Sequence, residues 1–370
     1  MLAPDQPIQL IAPDGSYRPE NLPEEYLPYV GELTETDLRR FYSDMVVIRA
    51  FDLEATALQR QGQMGLWVSS LGQEGAQVGS GHAARAQDYI FPAYREHVVA
   101  RIRGVDPLNI IRMLRGLTHG GWDPTVHRFH TYTLVIGSQT LHATGYGMGI
   151  RLDGRMATGN PETDEAVMVY FGDGATSQGD VSEAMVFAAS YQTPQVFFLQ
   201  NNYWAISVPV SVQARAPLYL RPRGFGIPSA QVDGNDVLAS YAVTRKFLDD
   251  ARAGKGPGFI EALTYRIAAH TSSDDPTRYQ DPALLESWVA KDPIARFETY
   301  LRGQGFDGGF FDDTAAEARD FAADIRRRTL ELPDPDPAMI FKNVYTEEHP
   351  VVTAQQQWLE RYEASFGAGS

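Results

Sequence analysis

The chain of 370 residues contains no cysteine. Disulfides, thiolate metal centres and a cysteine nucleophile are thereby excluded. Basic residues are in deficit: 32 Lys and Arg stand against 47 Asp and Glu, a formal net charge of −15. No nucleic-acid partner is expected, because phosphate binding needs a basic face. No apolar stretch reaches membrane-spanning length, so no membrane association is expected. No basic segment followed by an apolar run opens the chain, so no signal peptide is expected and the sequence reads as soluble and cytoplasmic. Internal repeats and low-complexity tracts are also missing. What remains is a globular composition, 43% hydrophobic and 21% charged, long enough for one large α/β domain or two.

Residues 1–34 are rich in proline, charge and turn formers ("IAPDGSYRPENLPEEYLP") and read as an extended arm, suited to lie on another subunit. From Thr34 or Thr36, either a fit N-cap, a helix is predicted, with Leu38, Tyr42, Met45, Val46, Ile48 and Leu53 at helical spacing. "YIFPAYREH" reads as a short strand entering a loop. The middle then alternates. "AVMVYF", "QVFFLQ" and "GFIEALTYRI" are strands. "SEAMVFAASY" is a helix with Val181, Ala184, Met185, Ala188 and Ala189 on one face. "NDVLASYAVTRKFLDDARAGKG" is another, with Asn235 or Asp236 as its cap and Gly254 as its stop. Such alternation implies a parallel sheet with helices on both faces, and unalternating runs such as "QVFFLQ" suit strands buried on both sides. The domain division expected is an arm over 1–34, an α/β domain over 35–330, and a helical tail over 331–370.

The sharpest local signal is "FGDGATSQGD", residues 171–180. The glycines permit a tight turn, and Asp173 stands where the strand ends, the edge at which open parallel sheets bind ligands. A plain helix-capping aspartate is the alternative. The second half of the signal is "NN" at Asn201 and Asn202, with 26 residues between it and the GDG. One helix and one strand lie between, so the two motifs close a βαβ unit and come together at the carboxyl edge. A carboxylate, an amide oxygen and the Trp204 carbonyl are hard oxygen donors that suit Mg²⁺ shared with phosphates. The following helix points its amino terminus at the same place, which favours a diphosphate.

This pairing resembles the thiamine diphosphate fingerprint, GDG followed by NN. "GQEGAQVGSG", "FPAYREH", "IGSQTLHATG", "NNYWAIS", "QVDGNDVLASY" and "HTSSDDPTRY" extend the resemblance over residues 25–300, to the alpha subunits of the decarboxylating component of 2-oxo acid dehydrogenase complexes. The resemblance implies a thiamine diphosphate-binding α/β fold. It implies that Tyr94 and Arg95 reach the cofactor diphosphate and that Leu134 and Ile136 touch its aminopyrimidine, with Ile136 as an apolar wedge. It further implies that Asp173, Asn202 and the Trp204 carbonyl hold Mg²⁺, that Gly174 and Ala175 offer amides to phosphate, and that His270 and His119 stand near the substrate. His127 and His130 share the stretch with His119 in no common zinc spacing. Arg95 as a surface ion pair, and His270 as a capping or solvent-facing residue, are the plainer alternatives. Asp274 and Asp275 suit loop-ordering ion pairs, and the loop "HTSSDDPTRY" reads as mobile until cofactor binds.

The glutamate that activates the aminopyrimidine has no counterpart here. By the resemblance it comes from a beta chain, in an assembly of two alpha and two beta chains. The implied reaction is oxidative decarboxylation of a 2-oxo acid with acyl transfer to a lipoyl-bearing acyltransferase. Leu66, Trp67 and Val68 fall where the family's substrate pocket begins, and their apolar character favours branched-chain substrates such as 3-methyl-2-oxobutanoate; a pyruvate dehydrogenase alpha chain is the alternative. A non-catalytic phosphate- or nucleotide-binding α/β protein would explain GDG alone. A homomeric thiamine enzyme of another reaction type would need the missing glutamate.

Overall fold

The computed structural model describes residues 6–367. Its main sheet has five strands, all parallel, in the order β1 (Tyr89–Phe91), β2 (Val167–Gly172), β3 (Gln195–Asn201), β7 (Gly258–Leu263) and β6 (Ser229–Asp233). The short strands β4 (Trp204–Ala205) and β5 (Val208–Pro209) form a separate antiparallel pair.

Two-sided burial explains the unalternating apolar runs. Met168 and Tyr170 of β2, with Val196 and Phe198 of β3, face one hydrophobic layer. Val167, Val169, Phe171, Phe197 and Leu199 face the other. The first layer packs under helices Glu35–Arg60, Glu74–Ala83 and Val237–Arg252, and the second under Ser138–Leu152 and Gly179–Tyr191. With both faces covered, the strands are mostly apolar, and the buried polar residues they do carry, such as Gln200 and Glu261, are hydrogen-bonded.

Helix starts follow their side chains. Thr34 and Asp37 form a capping box for Glu35–Arg60, which satisfies two end groups reciprocally. That helix buries Tyr42, Met45 and Ile48 as expected, but its deepest face also takes Phe41, Phe51 and Ala55, while Leu53 points outward at 54% exposure. Asp236, not Asn235, caps Val237–Arg252, accepting from the amides of Leu238 and Ala239.

The amino-terminal segment departs from the expected extended arm. Residues 1–5 of that span lie outside the described residues. From Ile8 onward the segment packs on its own chain: Ile8 bridges Val232 of β6 in parallel, and Leu10 and Ile11 are buried. The Asp236 carboxylate accepts both the Leu10 and Ile11 amides at 2.6 Å, and Arg296 donates to the Ile11 carbonyl. One buried aspartate thus caps a helix and anchors the strap. At the other end, helix Gly308–Leu330 packs against Glu35–Arg60, and the chain ends in helix Pro350–Gly367 with Trp358, Tyr362 and Phe366 exposed; residues 368–370 of the expected tail lie outside the described residues. No helix among the described residues is long and apolar enough to cross a membrane.

Candidate active site

The register pairs Gly172 with Gln200, so the chain leaves β2 and β3 at the same level of the sheet. Asp173 and Asn202 therefore emerge side by side at the carboxyl edge. They line a cavity of about 260 Å³ together with Tyr94, Arg95, Glu96, Ile136, Gln139, Gly174, Ala175, Gln178, Gln200, Trp204 and His270, among others. A larger cleft of about 400 Å³ runs past Tyr203, Leu218 and Glu261. The Glu261 carboxylate there is already satisfied by Asn201 at 2.7 Å, Gln231 at 2.9 Å and the Tyr219 amide at 3.0 Å. The smaller cavity holds buried charges, Asp173 and Arg95, with no ion-pair partner among the described residues.

Asp173 caps no helix. It opens a 3-10 turn, Asp173–Ser177, whose N-cap is Gly172. Its carboxylate is 1% exposed and makes no ion pair among the described residues. It accepts from Gln213 Nε2 at 3.0 Å. Burial pushes its pKa up to about 6 against hydrogen bonds from Gln213 and backbone amides and the more distant Arg266. A buried carboxylate given only neutral donors is stabilised by an added cation.

The neighbouring oxygens are set by an unusual backbone. Tyr203 lies at φ +69° and Ile206 at φ +56°, a left-handed conformation that such residues seldom adopt. That bend turns the chain back immediately after Asn202. The Asn202 Oδ1 accepts the Trp204 amide at 3.2 Å, and the Trp204 carbonyl lies 3.4 Å from Arg266 Nη1. Gly174 is needed here for space: a β-carbon on it would sit 2.7 Å from Ala205 Cβ. One carboxylate, one amide oxygen and one carbonyl form an all-oxygen donor set, the kind a hard divalent cation takes.

Positive charge stands across the cavity. Arg95 is 6% exposed and has no carboxylate within ion-pair distance among the described residues. Its guanidinium donates to the carbonyls of Ser69 and of His270, the latter at 3.1 Å. A surface ion pair is therefore not its role. Two helix starts face the same space. Gly179–Tyr191 begins after Gln178 and Ser138–Leu152 after Gly137, and neither has a side-chain cap. The Ser138 and Thr140 amides are taken by the Val135 and Gly137 carbonyls, so a helix dipole and a forked guanidinium make the site for an anion with several oxygens.

His270 is half-buried, with Nδ1 3.4 Å from Arg95 Nη2. Burial first, then Arg95 and Arg266, push its pKa down to about 4. The imidazole is neutral at physiological pH and can accept a hydrogen bond or a proton. Its loop is fastened. Asp274 accepts from the His270 amide at 2.8 Å and from the Tyr279 hydroxyl, which in turn accepts from Arg266 at 2.6 Å. The expected ion pairs of Asp274 and Asp275 are hydrogen bonds instead, for Asp275 bonds Thr277.

Nine of the ten residues expected at the cofactor line this one cavity. Leu134 does not: it is 65% exposed beside Val135 on the outer rim. His119 lies exposed in a loop and does not line the cavity. Trp67 and Val68 do not line the cavity. Trp67 is 1% exposed, stacks on His97 at 4.7 Å and donates to Asp52. Val68 is buried with its carbonyl on His97, and Leu66 is partly exposed outside the cavity lining. They are core because Asp52 and His97 offer the indole and the backbone buried polar partners.

Sequence reasoning passed over the cavity floor. Gln77 donates to Gln200 at 3.0 Å, and Gln200 donates to the buried Glu96 at 2.6 Å. Glu96 follows Arg95 directly and Gln77 sits inside "GQEGAQVGSG", so both were in view; nothing in a single sequence says that three polar side chains meet beneath a cavity. Arg266, 0% exposed and spanning from Trp204 to the loop tyrosine, was missed because it reads as an ordinary strand-end cation.

Comparison with known proteins agrees with this arrangement. The model of the dehydrogenase E1 component family matches residues 42–308. The chain is 42% identical over 357 residues to the 3-methyl-2-oxobutanoate dehydrogenase subunit alpha of Mycobacterium tuberculosis, covering 96% of this chain and 93% of that one. It is 35% identical over 340 residues to the pyruvate dehydrogenase E1 component subunit alpha of Acholeplasma laidlawii, covering 90% and 95%, and 35% identical over 300 residues to that of Staphylococcus aureus, covering 80% and 77%. With the family model matched across the sheet and both halves of the cavity, the chain belongs to the dehydrogenase E1 component family.

Proposed function

We propose that this chain is the alpha subunit of a thiamine diphosphate-dependent 2-oxo acid dehydrogenase, acting on branched-chain 2-oxo acids such as 3-methyl-2-oxobutanoate. The observation that carries the reading is the pairing of two buried, uncompensated charges, Asp173 and Arg95, across one cavity at the strand ends. Together they suit a diphosphate accompanied by a divalent cation.

Thiamine diphosphate, when bound, supplies the electron-accepting ring on which a 2-oxo acid loses carbon dioxide. The chain's own residues do the rest. Asp173, Asn202 and the Trp204 carbonyl would hold Mg²⁺. Arg95, Tyr94, the turn at Gly174 and Ala175, and the helix start after Gln178 would take the diphosphate oxygens. Ile136, 39% exposed at the cavity wall, would pack against the ring system. His270, neutral and beside Arg95, would accept a proton or hydrogen bond from the reacting groups.

A beta chain would complete the site in an assembly of two alpha and two beta chains, and a lipoyl-bearing acyltransferase would take the acyl group. In support, Leu134, Val135, Ile206, Val208 and Val212 are all exposed around the cavity side of the molecule, and an apolar rim of this kind marks a contact surface. Glu96 does not replace the missing glutamate, since both its oxygens accept from Gln200 and the Arg95 amide.

The branched-chain preference rests on the 42% likeness, not on Leu66, Trp67 and Val68. Pyruvate is the second reading, favoured by the 35% relatives. The test is to assemble this chain with its beta partner and compare kcat/KM for 3-methyl-2-oxobutanoate and pyruvate. An advantage for the branched acid is expected. An advantage for pyruvate would overturn the substrate and leave the thiamine chemistry standing; no decarboxylation of either would overturn the function.

A further inference from the structure

Asp173 is reached by a residue that neither motif contains. The antiparallel pair β4–β5 runs into a short helix, Val210–Gln213. From its last residue, Gln213 Nε2 donates to Asp173 Oδ2 at 3.0 Å, and Ser177 Oγ lies 3.5 Å from Gln213 Oε1. Arg221 reinforces this contact. Its Nη1 donates to the Thr176 carbonyl at 2.9 Å and its Nη2 to the Gln213 carbonyl at 3.4 Å, and it forms no ion pair among the described residues. Beneath them Gly174 packs directly on Ala205. The turn carrying Asp173 and the excursion carrying Trp204 are thus joined by side chains as well as by the sheet.

We propose that Gln213 is a positioning residue for the Asp173 carboxylate, and through it for the divalent cation beside the diphosphate. The proposal rests on the reading of Asp173 as a metal ligand. An ionised carboxylate offers about four lone-pair sites on its two oxygens. A donor on Oδ2 fixes the rotation of the group and leaves acceptor capacity for a cation. The donor's neutrality matters as much as its position. A lysine or arginine there would cancel the charge that attracts the metal, whereas an amide orients the carboxylate and leaves its charge intact. Hydrogen-bond partners of metal-ligating groups tune affinity in this way, and their loss typically weakens metal binding by about 10–100-fold.

The test uses the complex of this chain with its beta partner. Metal-free complex at saturating thiamine diphosphate is titrated with Mn²⁺, and free Mn²⁺ is read by electron paramagnetic resonance. Gln213→Leu keeps the volume and removes the donor; Asp173→Ala removes the ligand. The expected result is Mn²⁺ affinity weaker by about 10–100-fold in Gln213→Leu, with the melting temperature of the metal-free complex unchanged and thiamine diphosphate affinity at saturating Mn²⁺ preserved. Wild-type Mn²⁺ affinity in Gln213→Leu, alongside loss of binding in Asp173→Ala, overturns the proposal and spares the metal site. A parallel fall in melting temperature and in both ligand affinities assigns Gln213 to the scaffold alone and also overturns it. Wild-type Mn²⁺ binding by Asp173→Ala removes the metal reading, and the proposal with it.

Discussion

Trp67 and Ser272 hold each other twice: the Trp67 amide donates to Ser272 Oγ at 3.0 Å, and the Ser272 amide donates to the Trp67 carbonyl at 3.0 Å. This clip fastens the His270 loop to the segment that supplies the Ser69 carbonyl to Arg95. Gln280 adds a third tie, donating to the Arg266 carbonyl at 2.9 Å.

One hydroxyl thus helps to hold the loop in place. Ser272→Ala removes a neutral side-chain bond of about 1 kcal/mol. Trypsin cleavage after Arg278 should speed up about fivefold, since the open fraction rises by that Boltzmann factor. Adding cofactor with Mg²⁺ should slow cleavage in both proteins. Equal rates for the two proteins would show that the clip does not limit opening.

The elevated pKa of Asp173, about 6 against an unfolded value near 3.8, fixes the sign of two pH effects. The folded ligand-free chain holds this proton more tightly than the unfolded chain. That stabilising contribution is complete below about pH 4 and is lost as pH rises to about 6. A bound cation must displace the same proton, so Mg²⁺ affinity should fall by about tenfold per pH unit below 6. Calorimetric titrations at pH 5, 6 and 7.5 check the slope, and an affinity flat across that range would remove Asp173 from the metal shell.

Arg95 offers a forked guanidinium in a desolvated place, so its replacement by lysine is not conservative. Loss of a charge-assisted bond of about 1.5–3 kcal/mol predicts cofactor binding weakened by about 10–150-fold in Arg95→Ala. Arg95→Lys should recover only part of it. Fluorescence titration of the assembled complex measures both, and full recovery by lysine would mean that charge alone, not geometry, is read.

Far from the cavity, Asp88 and Arg252 form a buried pair, 0% and 3% exposed, in which Asp88 also accepts from the Ala166 amide at the start of β2. Arg252→Met removes the charged partner and leaves that carboxylate with only the Ala166 and Arg85 amides. Breaking one side of such a pair costs about 3–5 kcal/mol, so denaturant unfolding should show a loss of that size. A change below 1 kcal/mol would mean that water reaches Asp88.

The sheet was legible where burial is two-sided, because β2, β3 and β7 are mostly apolar with no in-out alternation, with Glu261 interrupting β7. β6, "SAQVD", was not, since an edge strand mixes polar and apolar residues and owes its pairing to β7 and Ile8. The two halves of the cavity were legible because GDG and NN sit at strand ends, where topology fixes their neighbours. Leu134 and Trp67 lie outside the lining of the cavity, because a motif gives position along the chain but not the direction of a side chain. Gln213 carried no signal: its meaning depends on a hairpin that brings it back 40 residues to Asp173.

The left-handed turn at Tyr203 bears on what happens when a ligand arrives. Holding a bulky residue in that conformation costs on the order of 1–3 kcal/mol, and here the cost falls within the folding free energy. The bend itself fixes the positions of the Asn202 and Trp204 oxygens, so a rigid cradle is written into the backbone. Tyr203→Gly would relieve the bend but let the loop wander, trading a rigid cradle for a stabler, looser one.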